Sequence, residues 1–171
     1  IGGGFPHNYQ NNDNIPNVKK ISKYIDLACK KLPYPVHFIA EPGRGLVANT
    51  FTLVTSVISK NKRLSGYWLY LDAGVYNGLL EAMMWQGNTK YYVRPLSSRN
   101  VSKTKERFIL TGPTGDSLDI INRVVVLPRD IKVGDKLIIY DVGAYTFTLM
   151  TPFNGFPKPE ITFKEKTTSR G

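Results

Sequence analysis

The sequence predicts two unlike parts: an α/β segment that reads as the last part of a (β/α)8 barrel, and an all-β domain after it, a barrel or a sandwich. Before about residue 32 apolar residues recur at helical steps, and a short β-branched and aromatic run follows. After residue 49 the pattern becomes short strands separated by Gly, Pro, Asp, Asn and Ser clusters. Size supports the division. The 171 residues suffice for one good core or two small ones, whereas a closed barrel needs eight strand–helix units and roughly one and a half are present. We therefore expect residues 1–49 to be the end of a barrel and residues 50–171 to be the β-domain.

The chain opens on Ile1-Gly2-Gly3-Gly4-Phe5-Pro6. Consecutive glycines allow backbone N–H groups to wrap an anion, as a phosphate loop at a barrel strand's end does. A flexible terminus fits the same residues. A start at Ile1 that is not methionine reads as the interior of something longer. Residues His7 to Pro16 read as a polar loop, with His7 an ordinary loop residue. From Asn17 to Leu32, Val18, Ile21, Ile25, Ala28 and Leu32 share one helical face, Asn17 caps it, and Lys30 and Lys31 suit its carboxyl end. Pro33 and Pro35 end the helix, and Val36–Ala40 reads as a buried strand. Glu41-Pro42-Gly43-Arg44 then turns the chain at that strand's carboxyl end, where barrels place their chemistry; a turn carrying a surface ion pair fits equally well.

The expected strands of the second part lie at Thr50–Ser59, Tyr67–Leu71, Tyr91–Val93, Phe108–Leu110, Val124–Val126, Leu137–Tyr140 and Phe147–Met150. Val133-Gly134-Asp135 falls in a turn. Between strands, Ala73–Met84 reads as a short helix that buries Leu79, Leu80, Met83 and Met84 as core. The tail after Ile161 is expected to fray.

Composition narrows the function classes. With 42% hydrophobic and 12% aromatic residues the chain is globular, not disordered. A net charge of +10 suggests nucleic acid, but the lysines and arginines are scattered and no zinc-finger or helix-turn-helix spacing occurs, so no nucleic-acid partner is expected. The single Cys29 provides no disulfide framework and fits a reducing, cytoplasmic setting. No run of about 18 apolar residues or leader is found, so no membrane association is expected. No metal site is expected.

Three later stretches carry chemistry: Thr111-Gly112-Pro113-Thr114-Gly115-Asp116-Ser117-Leu118-Asp119, a sharp loop presenting Asp116; Gly143-Ala144-Tyr145-Thr146; and Phe153-Asn154-Gly155-Phe156. Each alone fits an ordinary turn. Together with the glycine run, Glu41-Pro42-Gly43-Arg44 and Asp72 to Gly78, in this order, they closely resemble the C-terminal half of the ornithine/lysine/diaminopimelate decarboxylase family. Phe-Asn-Gly-Phe and Gly-Pro-Thr lean towards its ornithine branch. The resemblance implies an alanine-racemase-like barrel, a β-domain, pyridoxal phosphate as cofactor, and loss of carbon dioxide from an amino acid or amino-acid-like intermediate.

It also implies roles. Gly2, Gly3 and Gly4 would hold the cofactor phosphate by backbone N–H groups, with Arg44 and Tyr145 on the same phosphate. Glu41 would keep the pyridine nitrogen protonated, a catalytic task. Asp116 would serve the partner subunit's site in a homodimer, binding the substrate's distal amine and taking part in catalysis. The cofactor-bearing lysine has no counterpart in this chain, so an N-terminal half of the same enzyme is an expected partner. Gly115 stands where the family carries a cysteine that donates a proton. Trp85 stands where the ornithine branch has an aspartate for the distal amine, so Trp85 would contact a larger substrate. Decarboxylation is the first reading. A catalytically inactive binding or regulatory relative is the alternative, with a racemase third.

Overall fold

The computed structural model describes residues 1–9, 14–88, 91–97 and 102–164. Expectations that fall on residues 10–13 and 165–171, including most of the tail, lie outside the described residues.

Helix α1 spans Val18–Cys29, and the Asn17 side chain accepts the Lys20 N–H at 2.9 Å, as its position before the first turn requires. The expected face is only partly covered. Ile21, Ile25 and Cys29 form a half-buried stripe at four-residue steps, while Val18, Ala28 and Leu32 are exposed. The reason is that α1 packs on no other element among the described residues.

Val36–Ala40 is not a strand, contrary to expectation: Phe38 and Ile39 are exposed. The Ile1 amino group donates to the Ile39 carbonyl at 2.7 Å and the Glu41 N–H to Gly2 at 3.0 Å. Both segments advance together between these bonds, so they run parallel. Two bonds on one side do not make a ladder, and the other side has no partner strand among the described residues.

Past α2 (Arg44–Val47) and a 3₁₀ turn at Ala48–Thr50, the chain forms six strands: β1 Leu53–Arg63, β2 Gly66–Leu71, β3 Val93–Pro95, β4 Lys105–Thr111, β5 Ile120–Pro128 and β6 Lys136–Ile139. They make one sheet in the order β3-β6-β1-β2-β4-β5, antiparallel except for the parallel pair β2 and β4. The two edges, β3 and β5, come back into contact, which nearly closes the sheet. The first half of β1 alternates, with Leu53, Thr55 and Val57 turned inward. Leu69, Leu71, Phe108, Leu110, Ile121, Leu127, Leu137 and Ile139 fill the interior.

Three expectations fail locally. Phe147–Leu149 is a 3₁₀ turn, because Tyr145 has φ of 56° and reverses the chain just before it. Of Ala73–Met84, only α3, Glu81–Met84, is α-helical. The Gly74 N–H donates to the Asn77 side chain at 2.6 Å, a local bond that competes with the helical ladder. Leu79 is buried and Leu80 and Met83 pack on the core as expected, but Met84 is 81% exposed and contributes nothing to it. The Val133-Gly134-Asp135 turn is present, with Gly134 at φ 90°. Among the described residues no helix is long and apolar enough to cross a membrane.

Candidate functional site

A cavity of about 520 Å³ opens where residues 3–9, the Glu41–Arg44 turn, α3 and Tyr145 meet. Of the residues singled out in the sequence, Gly3, Gly4, Glu41, Arg44, Trp85 and Tyr145 line it. Gly2 and Asp116 do not.

Close backbone packing builds the floor. The Gly45 N–H donates to the Phe5 carbonyl at 3.0 Å, and a Cβ on Gly45 would lie 3.1 Å from both the Phe5 Cβ and its carbonyl oxygen. This contact holds the glycine run against the Glu41–Arg44 turn. On the other side, a Cβ at Gly143 would fall 1.8 Å from the Val47 carbonyl oxygen. Only glycine permits that approach, which the bond from the Gly143 N–H to the Ala48 carbonyl secures. Two residues later Tyr145 sits with its ring 5.1 Å from the Arg44 guanidinium carbon. The Glu41 carboxylate, exposed at the rim, makes no hydrogen bond or ion pair among the described residues.

Sequence reasoning missed the centre of the cavity. Arg44 forms a two-pronged ion pair with Glu81: Nη1 donates to Oε2 at 2.8 Å and Nη2 donates to Oε1. Nη1 also donates to the Tyr9 hydroxyl at 2.6 Å. Glu81 is 4% exposed and lies on the first turn of α3, whose exit residue is Trp85. Hydrogen bonding to Glu81 holds the Arg44 guanidinium well above its ordinary pKa. One signal did exist in the sequence: a single acid inside the apolar run Gly78-Leu79-Leu80-Glu81-Ala82-Met83-Met84. His7, read as a loop residue, also lines the cavity. Its Nε2 comes within 3.3 Å of the Asp141 carboxylate in a geometry too bent for a hydrogen bond.

Tyr91 closes the inner wall, 6% exposed, and its hydroxyl lies near the Glu81 carboxylate without a hydrogen bond of good geometry among the described residues. Burial, with the Glu81 charge adding to it, pushes this phenol up, and burial does the same for Tyr9. Above about pH 10 an unfolded chain loses these protons and the folded one keeps them, so stability should fall as pH rises. Tyr91→Phe should unfold with nearly the same midpoint at neutral pH, since the hydroxyl it removes makes no well-formed hydrogen bond among the described residues. Its midpoint should then decline less than that of the wild type between about pH 9 and pH 11. Parallel declines in thermal melts would contradict this account.

Asp116 belongs to a second cluster. It follows the close approach of Gly74 and Gly112, which lie just beyond the parallel strands β2 and β4. The buried Asp119 carboxylate ties this loop down, accepting Val75 N–H at 2.7 Å, Thr114 N–H at 3.1 Å and the Thr114 hydroxyl at 2.6 Å. Asn154 donates to the Thr114 carbonyl at 3.1 Å, and Phe153 stacks on Tyr76 at 4.2 Å. Burial and the Asp116 carboxylate push the Tyr76 phenol up. The Gly-Pro-Thr and Phe-Asn-Gly-Phe stretches, far apart in sequence, thus meet around Asp116, away from the cavity.

Residues 13–143 match the family described as pyridoxal-dependent decarboxylase, C-terminal sheet domain. The chain belongs to this family. Among pyridoxal-dependent decarboxylases it is 30% identical to the ornithine decarboxylase of Candida albicans, over 94% of this chain and 40% of that protein. The lysine/ornithine decarboxylase of Vibrio vulnificus complexed with putrescine superposes with a TM-score of 0.75 at 35% identity, covering 92% of this chain and 41% of that one. A diaminopimelate decarboxylase from M. jannaschi gives 0.80 at 28% identity, covering 93% and 36%. The chain therefore spans about two fifths of the length of the decarboxylases it matches.

Proposed function

We propose that this chain is the C-terminal portion of a pyridoxal-phosphate-dependent decarboxylase acting on the α-carbon of an amino acid or an amino-acid-like intermediate. The observation that carries the reading is the lining of the cavity, which suits a flat ring with an anionic arm. Aromatic side chains, Tyr9, Trp85, Tyr91 and Tyr145, surround it, a guanidinium lies at its centre, and the buried Tyr91 hydroxyl, without a well-formed hydrogen bond among the described residues, borders it. The glycine run approaches closely enough that a Cβ on Gly3 would stand 3.0 Å from the Glu41 carbonyl oxygen, and Gly4 holds φ at 83°.

Arg44, Tyr145 and the backbone of Gly3 and Gly4 would hold the phosphate. The carboxylate of Glu41, unpaired at the rim, would accept the pyridine N–H and keep that proton in place. When bound, pyridoxal phosphate supplies an electron sink for the bond that breaks at the substrate's α-carbon. Gly2 does not line the cavity; its carbonyl accepts the Glu41 N–H and so holds the run against the turn, and its own N–H would add to the phosphate donors. Trp85, 47% exposed beside the cavity, would contact the substrate side chain. Asp116, outside this cavity, would serve the site of a second copy in a homodimer. Residues 1–49 would complete a barrel whose remaining strands, with the cofactor-bearing lysine, come from an N-terminal half, and residues 50–171 would form the sheet domain.

The test is to purify the protein with its N-terminal half, reduce it with borohydride and locate the pyridoxyl group by peptide mass. A modified lysine outside this chain, with carbon dioxide released from an amino acid, is the expected result. Absence of the label after added cofactor would overturn the reading. A second reading, a relative that binds without turnover, draws on Gly115. At φ 76°, with open space around its Cα, it presents no ionisable group where the family has a thiol. A pyridoxyl label without carbon dioxide release from any amino acid would favour it.

A further inference from the structure

We infer that Glu81 is a positioning residue for phosphate binding, a bracket that holds Arg44 by one edge and turns its other edge to the cofactor. The inference rests on the reading of the cavity as a pyridoxal phosphate site. A guanidinium offers two bidentate edges, one formed by Nη1 and Nη2 and the other by Nε and Nη2. Glu81 occupies the first edge with both oxygens. The second proton on Nη1 goes to Tyr9. The donors these bonds leave, Nε–H and the remaining Nη2–H, lie together on the second edge, the fork that matches a phosphate.

Alone, an arginine in this place would not stay put. Arg44 stands on the four-residue α2, and its side chain is 23% exposed, so water is within reach. Glu81 is different: it is 4% exposed and its backbone belongs to α3, packed on β5. The carboxylate thus ties a partly exposed side chain outside the sheet to an element packed on the sheet. Tyr9 and Tyr145 flank the guanidinium, with ring centroids 5.9 and 5.1 Å from its central carbon, and narrow its remaining freedom. The arrangement carries an electrostatic cost, since a second anion stands behind the cation that meets the phosphate. Two effects of opposite sign follow from removing Glu81. The positioning account requires that the loss of orientation outweigh the relief of charge.

Binding of two probes separates these effects and separates this inference from the reading beneath it. Pyridoxal phosphate and pyridoxal differ only in the phosphate, and each is titrated into the apoprotein assembled with its lysine-bearing half, followed by absorbance. In Glu81→Ala, affinity for pyridoxal phosphate should fall about tenfold, the worth of one well-aimed charge-assisted hydrogen bond, while affinity for pyridoxal stays within about twofold. Glu81→Gln should lie between, because its amide oxygen can accept from one Nη while its NH₂ opposes the other. Should Glu81→Ala not fold, Glu81→Gln decides by the same ratio. Tighter or unchanged binding of pyridoxal phosphate, or an equal fall for both probes, would overturn the inference. If the wild type bound neither probe, the fault would lie in the cofactor reading itself.

Discussion

Arg44→Ala is expected to lower the unfolding free energy by about 3–5 kcal/mol, the range for breaking a buried ion pair from one side. The cost comes from the partner left behind. Glu81, 4% exposed, would keep its carboxylate out of water without a counter-charge, near the uncharged phenols of Tyr9 and Tyr91. Removing Glu81 alone should cost less, because the Arg44 side chain, 23% exposed, can turn to water. The double variant Arg44→Ala/Glu81→Ala should be more stable than Arg44→Ala, since no buried charge then remains unpaired. Urea unfolding of the four proteins completes the cycle. A double variant whose loss equals the sum of the two single losses would mean that the ion pair is not coupled in solution. The same Arg44→Ala protein should lose pyridoxal phosphate on dialysis while its β-sheet signal in circular dichroism persists. Domains of this size have about 5–15 kcal/mol to lose.

What the sequence made legible follows from what each stretch depends on. The helix start at Asn17 and most of the strands depend on local chemistry: a capping side chain, alternating burial and turn residues. They are where the pattern places them. Val36–Ala40 depends on neighbours on both sides, so its β-rich composition alone produces no strand. Phe147–Met150 has strand-like residues too, but the positive φ at Tyr145 and the stacking of Phe147 on Phe51 at 4.7 Å decide its shape. In the cavity, glycines, Glu41, Arg44, Trp85 and Tyr145 could be picked out because their residue types announce the chemistry in compact motifs. Glu81, Tyr9 and Tyr91 could not, because each matters only through a contact with Arg44 or with another of the three, across more than 30 residues of sequence in the case of Arg44 with Tyr9 and with Glu81. An acid in an apolar helix turn is a clue that some partner exists, but periodicity does not say which one.

Asp119→Ala should be comparably severe, by about 3–5 kcal/mol, and its effect should reach Asp116. The Asp119 side chain is fully buried and accepts three hydrogen bonds, from Val75 N–H, Thr114 N–H and the Thr114 hydroxyl. Alanine leaves all three donors facing a cavity, at roughly 1–3 kcal/mol for each that water cannot reach. The packing shows how little slack exists there. A Cβ at Gly74 would lie 2.3 Å, and one at Gly112 2.4 Å, from the carboxylate oxygen Oδ1, so the glycines press directly on the group they surround. Asparagine keeps the shape but turns an NH₂ towards one of the donors, and should cost about 2–4 kcal/mol for that reason. Thr114→Val should cost less, because it removes one donor and leaves the carboxylate its two backbone partners. Asp116 lies three residues before Asp119, and the loop that presents it is held by Thr114 on one side and by the Asp119 N–H to Asp116 carbonyl bond, 3.1 Å, on the other. In Asp119→Asn, amide hydrogen exchange at Gly115, Asp116 and Leu118 should therefore accelerate more than exchange in β1, whereas a uniform change across the sheet would show that Asp119 supports the whole domain and has no special hold on this loop.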